Sequence, residues 1–256
     1  MNTLILIKFL LLSLAFGAYV FPDDFKICRG EGQKLNKCIL SAIRDAWPKL
    51  ADPGISSPIT IKTEPLFSPY CEYHINNDVF IFDEYFWNLS HTGFINSKIL
   101  SASVDVSNLA LNFTTFTPNV VQKSTYVGYG TLLYNKTRAP EAIWGFGPAV
   151  KDLYNLTILH QLKSVKVEKQ GETYLDIVSY HVSASLDFIT FDYQNLYNGT
   201  NPEKAKRAGG YVNATAVYTT ANRKPYVEGF FAEMFKTYAK RIIGSVPLCK
   251  LLPSFL

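Results

Sequence analysis

The chain has 256 residues, 48% of them hydrophobic, and 25 Lys+Arg against 21 Asp+Glu give a net charge of +4. That balance excludes wholesale disorder and leaves no strong field for nucleic acid, while four cysteines are too few for a small disulfide scaffold. The unusual quantity is the aromatic share, 18 Phe, 16 Tyr and 3 Trp, which must be buried somewhere or must line something.

Residues 1–17 carry one charge, Lys8, and the apolar run Phe9–Phe16 is about the length of a signal h-region. It is too short to span a bilayer. Ala15 and Gly17 place small residues for cleavage after Gly17, with Ala18 the alternative. The expectation is a signal peptide at 1–17, a single domain at 18–256, secretion to the extracellular space and no stable membrane insertion. Six N-x-S/T sequons, at Asn88, Asn112, Asn135, Asn155, Asn198 and Asn213, exceed the roughly two that chance supplies and agree with a secreted glycoprotein. In an oxidising compartment the cysteines should pair. Cys28 and Cys38 are close, with Gly30 and Gly32 between them, and this leaves Cys71 with Cys249 by elimination only. No C-x2-C or H-x3-H spacing exists, so no metal site and no cofactor are expected.

Residues 33–47 read as a helix, with Leu35, Ile39, Ile43, Ala46 and Trp47 on one stripe and Pro48 as its stop. From about 59 to 197 the period changes to short strands rich in Val, Ile, Thr, Tyr and Phe, with connections too short for crossover helices. Gly171-Glu172 marks a hairpin, and the Gly128/Gly130 and Gly145/Gly147 pairs read as bulges or bends of a curved sheet. Residues 198–224 are polar, and the run Lys204–Arg207 within them reads as a solvated loop. Pro225 opens a last helix over about 226–244, where Val227, Phe230, Phe231, Met234, Phe235, Tyr238 and Ile242 form a wide apolar stripe. Strands segregated from helices mean an α+β fold. One long helix with a broad aromatic face is most economically wrapped by a curved sheet, which leaves apolar cavities between them.

Several short motifs in order then carry a resemblance. Cys28…Cys38 precedes the helix with its Pro48-x-Leu50 and Gly54-Ile55 exit. Thr92-Gly93-Phe94, Tyr126-x-Gly128-x-Gly130, Gly145-x-Gly147-Pro148, Gly171-Glu172-x-Tyr174-Leu175, Asn195-Leu196-Tyr197-Asn198-Gly199 and Val246-Pro247-Leu248 follow. The chain resembles the takeout and haemolymph juvenile-hormone-binding proteins of insects over essentially the whole mature length. It departs at Glu64-Pro65-Leu66, at Val212-Asn213-Ala214-Thr215, and in Cys71 and Cys249. The resemblance implies a long C-terminal helix wrapped by a highly curved antiparallel sheet. It also implies a tunnel for a juvenile-hormone-like terpenoid or fatty-acid-like ligand, and links to circadian, feeding or chemosensory physiology.

The leading expectation is therefore a secreted, monomeric carrier, not an enzyme, with a small hydrophobic ligand and an unidentified receptor as partners. Its tunnel would be lined by Ile43, Trp47, Val227, Phe230, Phe231, Met234, Phe235, Tyr238 and Ile242, with a tyrosine hydroxyl orienting the ligand. The rivals are an interaction module with a filled core and a lipid esterase. The second lacks any G-x-S-x-G elbow.

Overall fold

The computed structural model describes residues 26–51 and 63–251; the expected signal segment, 1–17, lies outside them. The first helix, α1, is Gly32–Ala51. It runs through Pro48 instead of stopping there. A proline removes only its own N–H, and the last turn is held from outside: the Leu50 carbonyl accepts from the Thr63 N–H (3.2 Å) and hydroxyl (2.7 Å). The Cys28–Cys38 bridge ties the segment before α1 to the helix, with the Cα atoms 5.6 Å apart.

Among the described residues seven strands form one antiparallel sheet: β1 (Leu66–Asn76), β2 (Phe80–Thr92), β3 (Lys98–Asp105), β4 (Ala110–Leu132), β5 (Glu141–Lys169), β6 (Glu172–Ser185) and β7 (Phe188–Tyr193). The spine is the β4–β5 pair, in register from Ala110↔Lys163 to Leu132↔Glu141. Each spine strand carries two shorter neighbours end to end. β3 then β2 flank β4, while β7 then β6 flank β5, and β1 lies outside β2. The sheet bends at register shifts between Trp87 and Ser90, Ile99 and Ser101, and Lys163 and Ser164.

The glycine pairs are not those bulges, because Gly128↔Gly145 and Tyr126↔Gly147 pair in unbroken register. The glycines are there for closeness. A Cβ on Gly128 would lie 2.6 Å from the Phe82 ring, and one on Gly145 would lie 3.0 Å from the Leu196 Cα. The β5–β6 hairpin does form, and its two turn residues are Gln170 (φ 54°) and Gly171 (φ 80°), the pair of positive φ angles a type I′ turn needs.

The run Lys204–Arg207, read as a solvated loop, is helical, within α2 (Pro202–Ala214), and α3 (Ala216–Asn222) follows it. Asn201 caps α2 by accepting from the Lys204 N–H at 3.0 Å, with Pro202 in the first turn. On α2, Lys204 and Arg207 pair with Glu141 at 3.8 and 3.1 Å. Next comes α4, Lys224–Ile243, about 30 Å long, then the short α5, Leu248–Leu251. α4 runs along β6 and reaches β1, α2 and α3 cover β7, and α1 lies on β3. The core fills the concave side of the sheet, with Phe86, Tyr126, Leu156, Ile158 and Ile177 fully buried.

The second expected disulfide is absent. Cys71 is buried in β1, in a cluster with Tyr73, Glu84, Lys151 and Arg223, and burial pushes its thiol pKa up. Cys249 lies on α5, close to Tyr174 at the tip of the β5–β6 hairpin. The elimination argument assumed that every cysteine pairs, whereas the fold places these two in separate surroundings.

Candidate functional site

An apolar cavity of about 300 Å3 lies between α1 and α4, above the floor of the sheet. α1 contributes Ile39, Ala42, Ile43, Ala46, Trp47 and Leu50, and α4 contributes Phe235, Tyr238, Ala239 and Ile242. Phe113, Leu162 and Tyr180, from β4, β5 and β6, form the floor, and Leu66 and Phe94 close one side. The sequence explains α1's part. Its apolar residues recur at helical spacing, yet all except Leu35 stay only half-buried, because their stripe faces the cavity and not a filled core.

The nine expected lining residues separate into groups. Ile43, Trp47, Phe235, Tyr238 and Ile242 face this cavity. Val227, Phe230 and Phe231 line a second one of about 30 Å3, nearer the start of α4. Met234 is buried and lines neither. Between the cavities the rings close up. Phe231 stacks on Phe235 with centroids 6.1 Å apart, Phe94 meets both edge-on at 6.3 and 5.4 Å, and His91 sits 5.6 Å from Phe230. A helix stripe tells which residues point inward but not whether the space they point into is filled.

The polar groups of the large cavity are few and nearly all engaged. Trp47 Nε1 donates to the Phe94 carbonyl at 2.7 Å. Lys26 Nζ donates to the Ser41 hydroxyl at 2.9 Å. Tyr238 accepts from the Phe67 N–H at 2.8 Å, which leaves its own proton available to a ligand. Tyr180 shares a hydrogen bond of 3.0 Å with His160 Nδ1, whose other nitrogen meets the Thr115 hydroxyl at 3.1 Å. His160 also stacks flat on Phe113 (4.3 Å, 8°) and meets Phe235 edge-on at 4.8 Å. Burial pushes its pKa down to about 3, and that of His91 down to about 4, so both imidazoles are neutral at ordinary pH.

Two features escaped sequence reasoning. One is His160 as support for the cavity floor. The other is a buried charged cluster at the opposite end: Glu84, 2% exposed, ion-paired to Arg223 at 3.1 Å and accepting from the Tyr193 hydroxyl, with Lys151 beside them. Both announce themselves only by phase. Glu84 stands between Phe82 and Phe86, and His160 between Ile158 and Leu162, at inward positions of their strands.

Of the five sequon asparagines whose side chains are described, three lie on the outside; that of Asn135 is outside the described residues. Asn88, Asn155 and Asn198 are exposed and Asn112 is half-buried. Asn213 differs: its Oδ1 accepts from the Phe191 N–H at 2.7 Å, and its Nδ2 donates to the Phe191 carbonyl at 2.8 Å. Among the described residues no three His, Cys, Asp or Glu side chains gather as a metal site requires, and no helix is long and apolar enough to cross a membrane.

A curved sheet holding a long helix over an apolar, almost uncharged chamber defines the class: an α+β fold with an apolar cavity between sheet and helices. Its family follows from the sequence. The model of the haemolymph juvenile hormone binding protein family matches residues 6–253, so the chain belongs to that family. Among solved structures, Takeout 1 of Epiphyas postvittana superposes with a TM-score of 0.71 at 18% identity, covering 89% of this chain and 99% of that one. That likeness shows the fold. A lipopolysaccharide binding protein matches at a TM-score of only 0.35 and 10% identity, over 78% of this chain and 37% of that one. No curated protein sequence matches the chain.

Proposed function

We propose that the protein is a secreted carrier that holds one small hydrophobic molecule, a juvenile-hormone-like terpenoid or a fatty-acid-like lipid, between α1 and α4. The observation that carries this is the apolar chamber itself. About 300 Å3 is at the low end for small-molecule sites, which suits a single-chain ligand and not a two-chain lipid. Binding would be driven by apolar burial, with the Tyr238 hydroxyl as the donor that orients an ester, epoxide or carbonyl oxygen. Family membership supports the hydrophobic ligand. The leader-like first 17 residues, the sequons and the Cys28–Cys38 bridge support secretion.

The test is retention. Purified protein, stripped of lipid and incubated with insect lipid extract, should hold a single-chain lipid detectable by mass spectrometry. Ala239→Phe, which fills the chamber from α4, should abolish retention without loss of stability. If the stripped wild type retains nothing, the carrier reading fails. Tyr238→Phe should weaken an oxygen-bearing ligand about three- to tenfold and leave a hydrocarbon of the same length unaffected.

A further inference from the structure

The small cavity beyond Phe230 and Phe231 differs in kind from the large one. Its polar wall is Gln122, Lys151, Thr220 and Arg223. Lys151 is 5% exposed, and its Nζ lies 3.8 Å from the Phe86 ring centroid and 5.1 and 5.2 Å from those of Tyr73 and Phe191. Among the described residues it makes no ion pair and no hydrogen bond. The Glu84 carboxylate is already held by Arg223 and by the Tyr193 hydroxyl. Gln122, 6% exposed, directs Oε1 at His91 Nε2 (3.2 Å) and leaves its Nε2 without a partner. The Thr220 hydroxyl is likewise unpartnered.

Among the described residues the surroundings supply no second negative charge. Burial raises the pKa of the Cys71 thiol and of the Tyr73 and Tyr193 phenols, so all three stay neutral. Two cations therefore face one engaged carboxylate. Burial and the Arg223 charge pull the Lys151 pKa down to about 8 against the opposing pull of Glu84, and an ammonium whose nearest carboxylate is shared with a guanidinium is costly to bury; aromatic faces offset only part of that. The cavity has room for about two waters or one small anion.

We propose that this cavity is a binding site for a carboxylate, which accepts from the Lys151 ammonium, the Gln122 amide and the Thr220 hydroxyl. The carboxylate has two sources: a free small anion, or the head of a fatty acid whose tail displaces the Phe230 and Phe231 rings that close the way to the large chamber. The second rests on the carrier reading; the first stands without it.

The experiment titrates the full, lipid-stripped secreted protein with 13C-formate and with decanoate labelled at its carboxyl carbon, following the carboxyl resonance, and uses decanol as the uncharged control. Formate should saturate one site on the wild type, and Lys151→Met should weaken it about tenfold or more. Thr220→Val, which keeps every charge and a similar shape, should weaken it by a smaller factor and decides the matter should the Lys151 variant not fold. Decanoate binding tighter than formate, with the gain lost in Lys151→Met while decanol binds both proteins alike, assigns the site to a lipid head. Decanoate binding no tighter than formate assigns it to a free anion. Formate and decanoate failing to bind the wild type, or binding the variants as well as the wild type, overturns the site. Failure of decanol alone counts against the carrier reading and leaves the anion site standing.

Discussion

Glu84 and Arg223 meet at 3.1 Å with almost no access to water, and the Tyr193 hydroxyl completes the carboxylate's shell. A pair of this kind adds little net stability, but breaking it strands a charge. Arg223→Met should therefore destabilise by about 3–5 kcal/mol in urea unfolding, and the double variant with Glu84→Leu should recover only part of that loss, because it leaves buried Lys151 without its neighbouring carboxylate. The two buried histidines make a different demand. Burial lowers their folded pKa values to about 4 (His91) and about 3 (His160), from 6.5. The unfolded chain thus takes up protons first, and the neutral-histidine contribution, full above pH 6.5, is lost as pH falls below it. Each imidazole should remove roughly 1.4 kcal/mol per pH unit between 6.5 and its folded pKa. Urea midpoints measured from pH 7 to 4 should show this slope, and His160→Gln should flatten it by one histidine's share. A midpoint independent of pH in that range would exclude these assignments.

At the scale of elements, Asn213 acts as a clamp between α2 and β7. Both polar atoms of its amide are committed to the backbone of Phe191. Asn213→Ala should cost about 1–3 kcal/mol, because it leaves the Phe191 N–H and C=O without partners. Glycan mapping after deglycosylation with isotope labelling should find exposed Asn88, Asn155 and Asn198 modified ahead of Asn213, whose nitrogen already donates inward. Legibility follows the same physics. α1 and α4 were readable because an apolar stripe at period 3.6 has one interpretation, and the β5–β6 hairpin because of Gly171, although the turn pair is Gln170-Gly171 and not the expected Gly171-Glu172. α2 hid behind its polar composition, although Asn201-Pro202-Glu203 is a cap, a first-turn proline and a first-turn acid in order. Lys151, Glu84 and His160 were missed because each is a single polar letter at an inward phase of a strand. Periodicity weighs the apolar neighbours and passes over the exception.

At the scale of the whole molecule, the aromatic share that marked the composition is divided between two surfaces. One part lies inside, on α4 and the concave face of the sheet. The other lies outside: Tyr70, Trp87, Tyr129, Trp144 and Phe146 remain substantially exposed across β1, β2, β4 and β5. Tyr70 and Trp87 face each other across the β1–β2 pair, as do Tyr129 and Trp144 across β4–β5. Such cross-strand pairs stiffen a sheet that must stay curved around an incompletely filled interior. Inside, the ring cluster of Phe94, Phe230, Phe231 and Phe235 stands between the two cavities. That bulkhead makes the chamber a ruler. Along a series of n-alkanols each added methylene should tighten binding about fourfold, the equivalent of about 0.8 kcal/mol, until the chain end meets Phe231, where the gain should stop. Phe231→Ala should move that stopping point to longer chains, and an unchanged break in the series would show that the gauge is set elsewhere.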